Sequence, residues 1–178
     1  MKTSSRRIRV RRKGNDDSHR HSMMNDLHLA ASRVRRFEAR DVPEIQEIAR
    51  QSPQAAVWSN ESYLTTESER QLAWVVESGG DVCGFLIARI VASDEAEILN
   101  LAVAAASRRA GNATALLQAC LAELSCLQIQ RVFLEVRESN AAAIAFYGKH
   151  KFERAGHRPG YYQMPPEAAV LLIRKLTD

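Results

Sequence analysis

Cysteine is scarce in this sequence, and the few cysteines have none of the spacings typical of a metal site or a disulfide framework. Cys83, Cys120 and Cys126 form no C-x-x-C pair and no cluster with histidine. An odd number of thiols within apolar segments indicates buried free cysteines rather than redox or metal-binding ones. We therefore expect no metal cofactor, and this cysteine usage is consistent with a reducing cytoplasm.

Long hydrophobic runs are absent as well. No apolar segment approaches the roughly 18–20 residues that a helix needs to span a bilayer, so we expect no membrane partner. The chain has 178 residues, of which 46% are hydrophobic, a composition typical of a globular protein. This length is sufficient for a single hydrophobic core. We predict one folded domain over residues 33–178.

Acidic residues are scarce in the first part of the chain, which is strongly basic as a result. Residues 1–36 contain 11 Lys and Arg against 3 Asp and Glu, a net charge of +8, whereas the remaining residues carry −4. The basic run at residues 6–13 is followed by polar residues and has too little apolar surface to fold alone. We expect residues 1–32 to be a disordered extension. They lack the apolar core of a signal peptide, so we expect no secretion signal.

Two interpretations of this basic extension stay open. Residues 1–22 could form a nucleic-acid-binding arm, because clustered Lys and Arg attract phosphates. They could instead lie upstream of a start at Met23 or Met24. The segment has no Phe, Tyr or Trp to stack on bases, which favours the second interpretation.

From about residue 33 the chain follows the pattern of a strand, a helix and an antiparallel meander. Asp41-Val42-Pro43-Glu44 is typical of a helix start, with a capping side chain and a proline in the first turn. Ser59 or Asn60 can begin a second short helix. The turn Ser78-Gly79-Gly80-Asp81 predicts a hairpin. The strands predicted here span residues 34–38, 72–77, 82–91 and 97–103.

The rest of the domain alternates between helices and strands. Apolar residues from 113 to 124 recur at intervals of three and four, which predicts a long amphipathic helix. Residues 131–136 are predicted as a strand and are followed by an Ala-rich helix. Two further strands, at 152–157 and 168–174, flank a predicted loop rich in Pro, Gly and Tyr. A meander followed by alternating strands and helices predicts a mixed α/β sheet.

A hexamer before the long helix is a candidate phosphate site. Arg108-Arg109-Ala110-Gly111-Asn112-Ala113 contains a glycine that lets a ligand approach the backbone closely. The free N–H groups of a helix N-terminus favour an anion, and arginine adds charge-assisted hydrogen bonds. The hexamer is neither a Walker loop nor a G-x-G-x-x-G fingerprint. A solvated basic pair is the alternative interpretation.

A second candidate site lies where the strand at 131–136 meets its helix. Glu135 shares one strand face with Phe133, opposite the apolar side chains at 132, 134 and 136. Asn140 and Tyr147 are seven residues apart in the helix and project from nearly the same face. A carboxylate, an amide and a phenol that converge in this way suit acid–base chemistry.

Each of these three residues also has a purely structural interpretation. Glu135 could be an exposed carboxylate paired with Arg137, two residues further along the strand. Asn140 could simply cap the helix, which is the commonest role of such a residue. Tyr147 could fill the space between helix and sheet.

Taken together, these segments resemble the GNAT N-acetyltransferase superfamily over about residues 34–174. The most specific blocks are residues 94–103, the Arg-x-x-Gly-x-Ala hexamer, and residues 134–140 continuing into Phe146-Tyr147. Trp58-Ser59 and the Tyr-containing loop at 158–162 also resemble one bacterial subfamily, the ribosomal-protein-alanine N-acetyltransferases. The resemblance implies an α+β fold with a mixed, mostly antiparallel central sheet flanked by helices.

The resemblance also implies a reaction and a set of site residues. The reaction is acetyl transfer from acetyl-CoA to the α-amino group of a protein N-terminus, with the N-terminal alanine of a small-subunit ribosomal protein as acceptor and no metal. Glu135 matches the general base and Tyr147 the general acid. The residues implied in cofactor binding are Leu101, Ala102, Val103, Arg108, Arg109, Ala110, Gly111, Asn112, Ala113, Thr114 and Asn140.

The sequence departs from the superfamily pattern at several positions. Ala104-Ala105 replaces an acidic-Pro step, and Ala113 replaces a second glycine of the phosphate loop. Gly148 lies inside the predicted helix, where glycine costs about 1 kcal/mol relative to alanine. Lys151 stands where glycine commonly adopts the left-handed conformation that ends a helix. We expect a less stable helix end and an intact site.

Functions other than protein N-terminal acetylation are also compatible with these sequence features. The acceptor could be another N-terminus, a lysine side chain or a small amine. Outside enzymes, the chain could be an acyl-CoA-binding module or an RNA-associated protein that acts through its basic extension. The presence of both Glu135 and Tyr147 favours a catalyst.

Overall fold

The computed structural model describes residues 32–54, 59, 62 and 70–176, and these include a seven-stranded sheet. Its strands are β1 (Arg33–Arg36), β2 (Gln71–Ser78), β3 (Asp81–Ile90), β4 (Glu95–Val103), β5 (Arg131–Arg137), β6 (Glu153–Gln163) and β7 (Pro166–Lys175). Their order is β1-β2-β3-β4-β5-β7-β6, and every neighbouring pair is antiparallel except β4 and β5. The expectation of a mixed, mostly antiparallel sheet is confirmed.

Three α-helices are present among the described residues, and they pack on both faces of the sheet. They are α1 (Val42–Arg50), α2 (Asn112–Cys126) and α3 (Ala141–Lys149). Apolar side chains of α1 pack with one set of β2 and β3 residues, whereas those of α2 and α3 pack with the alternate set. This division follows from the alternation of side chains along a strand. None of the described helices is both long and apolar enough to cross a membrane.

The hairpin between β2 and β3 forms as its glycines predict. Gly79 and Gly80 occupy the two turn positions with φ of 66° and 96°. Both values lie in the left-handed region that glycine adopts without a steric penalty. The strand boundaries differ from the predicted ones by a few residues.

Three details of the prediction are wrong. The predicted loop at residues 158–162 is part of β6, with an irregular register against β7. Asp41 does not cap α1 with its side chain, because its carboxylate accepts hydrogen bonds from Arg35 and from the Glu38 N–H instead. Cys83 and Cys120 are buried free thiols as expected, but Cys126 is exposed at the last residue of α2.

Two predictions fall largely outside the described residues. The basic extension at 1–32 lies almost entirely there, and so does the short helix predicted after residue 59. Within that second segment only Ser59 and Ser62 are described, and the Ser62 N–H donates to the Ser59 hydroxyl at 3.2 Å.

Candidate active site

A cleft opens in the sheet where β4 and β5 diverge. Their parallel pairing covers only four positions and ends at Ile98 opposite Leu134. At this point β4 contains a bulge, because Ala88 of β3 pairs with Ile98 whereas Ile87 pairs with Asn100, leaving Leu99 as the extra residue. Beyond the bulge, β4 continues along β3 and β5 continues along β7. The two strands therefore separate and leave a gap between them.

The β4 edge that faces this gap carries backbone groups oriented toward it. The Ala104 N–H donates to the Cys83 carbonyl at 2.8 Å, so this residue is directed toward β3. Because backbone groups alternate in direction along a strand, Val103 and Leu101 direct their N–H and C=O groups into the gap. The Arg108 Nε donates to the Val103 carbonyl at 3.0 Å. The backbone of Leu101 is thus positioned to pair with an extended ligand.

A cavity of about 370 Å³ occupies the gap. It is lined by residues of β4 and β5, by Asn140 and Tyr147, and by the tyrosines of β6. A second cavity of about 300 Å³ shares Leu101 and Asn140 with the first and extends past Val103 to Arg108. Together they form a groove from the end of β5 to the turn before α2. Pro53 and Gln54, which the sequence did not suggest, line both cavities.

The N-terminus of α2 lies beyond the Arg108 end of the groove. Arg109 and Gly111 adopt positive φ values of 65° and 84° in the turn before the helix. The Asn112 Nδ2 donates to the Ser107 carbonyl at 2.9 Å and fixes this turn. The first intrahelical bond runs from the Ala115 N–H to the Gly111 carbonyl. The N–H groups of residues 112–114 precede that bond and are available to an anion.

Glu135 lies inside the cavity rather than at an exposed strand end. Only 9% of its side chain is exposed, and its Oε1 lies 2.7 Å from the Arg158 Nη1. The Tyr161 hydroxyl donates to the same carboxylate, and this hydrogen bond together with burial raises the pKa of Tyr161 to about 12. Arg137 instead forms an ion pair with Glu167 at 3.1 Å. The interpretation of Glu135 as an exposed partner of Arg137 is therefore wrong.

Tyr147 combines a packing role with access to the cavity. It belongs to the hydrophobic core, where its ring meets Phe146 and Phe152 edge to face at centroid distances of 5.1 and 5.3 Å. Burial, and then the nearby Cys120, raises the pKa of Tyr147 well above that of a free phenol. The side chain therefore stays protonated at neutral pH, as a proton donor must.

Asn140 both caps a helix and lines the cavities. Its Oδ1 accepts a hydrogen bond from the Ala143 N–H at 3.1 Å, so the residue caps α3. The same side chain lines both cavities. Capping uses only the oxygen, and the Nδ2 group can still donate to a ligand.

Arg137, at the end of β5, contacts the hairpin end between β6 and β7. The Arg137 guanidinium lies 4.1 Å from the centre of the Tyr162 ring. It also donates to the carbonyls of Met164 and Pro165 at 3.0 and 3.2 Å. The Ser139 N–H donates to Glu167 at 2.6 Å. These contacts join β5 to the segment that carries Tyr161.

The residues predicted for cofactor binding occupy two parts of this region. Those that line the cavities are Leu101, Ala102, Val103, Arg108 and Asn140. The others belong to the turn and first turn of α2, where Arg109, Ala110 and Gly111 are exposed, Ala113 and Thr114 are half-buried and Asn112 is buried. No group of His, Cys, Asp and Glu suited to a metal ion occurs within the described part of the chain.

Comparison with known proteins identifies relatives over most of the chain. The family model for the Acetyltransferase (GNAT) family matches residues 35–152. The ribosomal protein bS18-alanine N-acetyltransferase of Escherichia coli is 36% identical over 126 residues, which cover 71% of this chain and 84% of that protein. The protein of the same name from Haemophilus influenzae is 31% identical over 132 residues, covering 74% and 88%.

Solved structures agree with the sequence comparison. The ribosomal-protein-S18-alanine N-acetyltransferase from Escherichia coli superimposes with a TM-score of 0.73 at 30% identity, covering 83% of this chain and 95% of that one. Ard1 from Thermoplasma volcanium superimposes with a TM-score of 0.76 at 29% identity, covering 83% and 99%. Arabidopsis thaliana NAA60, solved in complex with acetyl-CoA, has a TM-score of 0.75 at 18% identity over 83% and 100% and shares the fold.

Proposed function

Because the chain belongs to the Acetyltransferase (GNAT) family, we propose that it transfers the acetyl group of acetyl-CoA to the α-amino group of a protein N-terminus. We propose the N-terminal alanine of a small-subunit ribosomal protein as the acceptor. The basis is that relatives named ribosomal protein bS18-alanine N-acetyltransferase are 31% to 36% identical to this chain. The observation that carries the proposal is the position of Glu135, a carboxylate only 9% exposed in a cavity that Tyr147 also lines. The free cysteines are consistent with a cytoplasmic reaction.

The groove fits the elongated shape of the proposed donor. The pantetheine arm of acetyl-CoA would lie between β4 and β5. It would pair with the backbone of Leu101 and Val103, whose polar groups face the gap. The pyrophosphate of acetyl-CoA would bind at residues 109–114, where free N–H groups and the helix dipole favour an anion. Asn140 would hold the cofactor near its thioester, because it lines both cavities.

Glu135 would act as the general base. An α-amino group has a pKa near 8 and is mostly protonated at neutral pH. It must lose a proton before its lone pair can attack the thioester carbonyl. Glu135 lines the cavity at the end of β5, where it could take this proton directly or through a water molecule.

Tyr147 would act as the general acid for the leaving thiolate. Its buried phenol is protonated at neutral pH and lines the same cavity as Glu135. Its raised pKa makes it a weaker acid than a free phenol, so hydrogen bonding to the sulfur would precede full proton transfer. The backbone N–H groups of Leu101 and Val103, which face the gap, could stabilise the oxyanion, and the groove would align the amine with the thioester.

The test is acetyl-CoA turnover on peptides that begin with Ala, Ser or Met. We expect the Ala-starting ribosomal peptide to be the best substrate, and Glu135→Gln to lower kcat by roughly 10²–10³-fold. Glu138→Gln is the matched control, because Glu138 follows on the same chain segment, is 55% exposed and pairs only with His157 at 3.5 Å in the described structure. Wild-type kcat from Glu135→Gln would refute the role of Glu135 as base.

A further inference from the structure

The Arg158 guanidinium forms an ion pair with Glu135, the carboxylate that we propose receives a proton from the acceptor's ammonium group. The two side chains approach to 2.7 Å, although β6 and β5 are not neighbours in the sheet. Arg158 reaches across β7 to the carboxylate, and its guanidinium lies 5.7 Å from the centre of the Tyr161 ring. A cation of this chain therefore contacts the group that would receive a cationic substrate.

The two partners differ strongly in their exposure to solvent. Glu135 is 9% exposed, whereas 59% of the Arg158 side chain is exposed. A half-exposed guanidinium keeps much of its hydration, so it is the mobile partner of the pair. When Arg158 leaves, the buried carboxylate stays on its strand and requires another cation, such as an ammonium group, as its partner.

The other charged groups that line the cavity have partners elsewhere. Glu97 pairs with Arg89 at 2.8 Å, and Arg137 pairs with Glu167 at 3.1 Å. The Tyr161 hydroxyl bonds to Glu135 but carries no charge. Among the described residues, Arg158 is thus the cation that pairs with Glu135.

We infer that Arg158 competes with the acceptor's ammonium group for Glu135 and thereby sets the affinity for the acceptor. The inference rests on the proposed function for its substrate. Two cations beside one carboxylate repel each other, so the acceptor must displace the guanidinium before its amine reaches the base. Arg158 is a residue that tunes acceptor binding, and it takes no part in proton transfer.

Cation binding tests this inference independently of turnover. Methylammonium and methylguanidinium serve as probes in thermal unfolding of the full-length wild type, Arg158→Gln and Arg154→Gln. Arg154 is the matched control, because it is an exposed arginine four residues away on the same strand. We expect both probes to raise the Tm of Arg158→Gln and to leave the other two proteins nearly unchanged. Equal responses in all three proteins would overturn the inference.

Acceptor kinetics supply the second measurement. We expect Arg158→Gln to lower the KM for the Ala-starting peptide by about two- to fivefold, because the acceptor then reaches Glu135 without displacing a guanidinium. Arg158→Lys should return KM toward the wild-type value, and methylguanidinium should inhibit Arg158→Gln competitively with the peptide. An unchanged or raised KM would contradict the competition. Absence of peptide acetylation by the wild type would refute the proposed function, whereas the Tm comparison would still decide the role of Arg158.

Discussion

The rings of Tyr147 and Phe152 meet edge to face, with centroids 5.3 Å apart, across the end of α3. The backbone of the same turn is doubly hydrogen-bonded, from the Phe152 N–H to the Tyr147 carbonyl and from the Lys151 N–H to the Gly148 carbonyl, each at 3.1 Å. These two bonds and the apolar contact are the elements of a Schellman motif. The helix end therefore holds in place the ring whose hydroxyl we assign to catalysis.

Tyr147→Phe separates the packing of this ring from its chemistry. The substitution keeps the contacts with Phe146 and Phe152 and removes only the hydroxyl. We expect kcat to fall roughly 10²–10³-fold, because the proton donor for the leaving sulfur is lost. The free energy of unfolding in urea should stay close to that of the wild type. A kcat equal to the wild-type value would show that Tyr147 only packs.

The ends of α2 and α3 both require a residue in the left-handed conformation. Lys151 and Gln128 have φ of 62° and 61°, and neither is glycine. We expect Lys151→Gly and Gln128→Gly each to raise the free energy of unfolding by about 1 kcal/mol, since glycine adopts this conformation without the clash of a Cβ atom. Urea unfolding measures the change as a higher midpoint at an unchanged m value. Ala145→Gly, at an exposed position inside α3, should instead lower stability by about 1 kcal/mol.

Alanine substitutions at Gly148 and Gly84 should change the free energy of unfolding in opposite directions. A Cβ atom at Gly148 would meet nothing within 4 Å, so Gly148→Ala should raise the free energy of unfolding by about 1 kcal/mol through better helix propensity. At Gly84 a Cβ atom would lie 3.0 Å from the Ala102 carbonyl and from side chains of Val103 and Val76. Gly84→Ala should lower stability by roughly 1–3 kcal/mol and weaken acetyl-CoA binding, because it displaces the proposed cofactor strand. Thermal unfolding and a KM measurement for acetyl-CoA check both effects.

The ion pair of Arg35 and Asp41 predicts a specific pH dependence. Burial alone would raise the pKa of Asp41, but hydrogen bonds from Arg35 and the Glu38 N–H outweigh it and lower the pKa. The carboxylate thus stabilises the fold at pH values above its unfolded pKa, and the contribution is lost as pH falls through about 4 and below. Asp41→Asn should cost about 3 kcal/mol at pH 7, because it leaves a largely buried guanidinium without this partner.

Urea unfolding across the pH range measures this linkage. The difference between wild type and Asp41→Asn should shrink below pH 4, when the wild-type carboxyl becomes protonated. Asp94→Asn is the control, because the exposed pair of Asp94 and Arg131 should contribute under about 1 kcal/mol at any pH. A difference for Asp41→Asn that does not depend on pH would contradict the prediction.

Arg137→Lys tests whether the β6–β7 hairpin end takes part in acceptor binding. The guanidinium stacks on Tyr162 and donates to two carbonyls of the hairpin, a combination that an ammonium group does not reproduce. We expect the KM for the peptide to rise several-fold while the KM for acetyl-CoA stays unchanged. An equal rise in both values would indicate a general loss of structure.

Local patterns account for two geometric features of the candidate site. The separation of Asn140 and Tyr147 follows from helix geometry, and both residues line the same cavity. Lys151 has a left-handed φ at the position where the sequence indicated that glycine commonly ends a helix. Each of these features depends only on residues within two helical turns. It can therefore be predicted from the local sequence.

The partners of Glu135 could not be predicted in this way. Its contacts with Arg158 and Tyr161 require β6 to lie beyond β7 and the two tyrosines to continue that strand rather than form a loop. The bulge at Leu99 and the pairing of β4 with β5 over only four positions depend on strand register. Register between distant segments is set by the packing of the whole sheet.

Local sequence patterns indicate most of the helices and strands and the alternation that directs Glu135 away from the core, and a resemblance to known sequences indicates the family. The groove between β4 and β5 and the contact of Arg158 with Glu135 across β7 arise only once the sheet has assembled. The two kinds of feature differ because the interactions behind them act over different separations along the chain. Backbone geometry and side-chain alternation act between near neighbours, whereas the cavity and its ion pair exist only when strands far apart in sequence have paired.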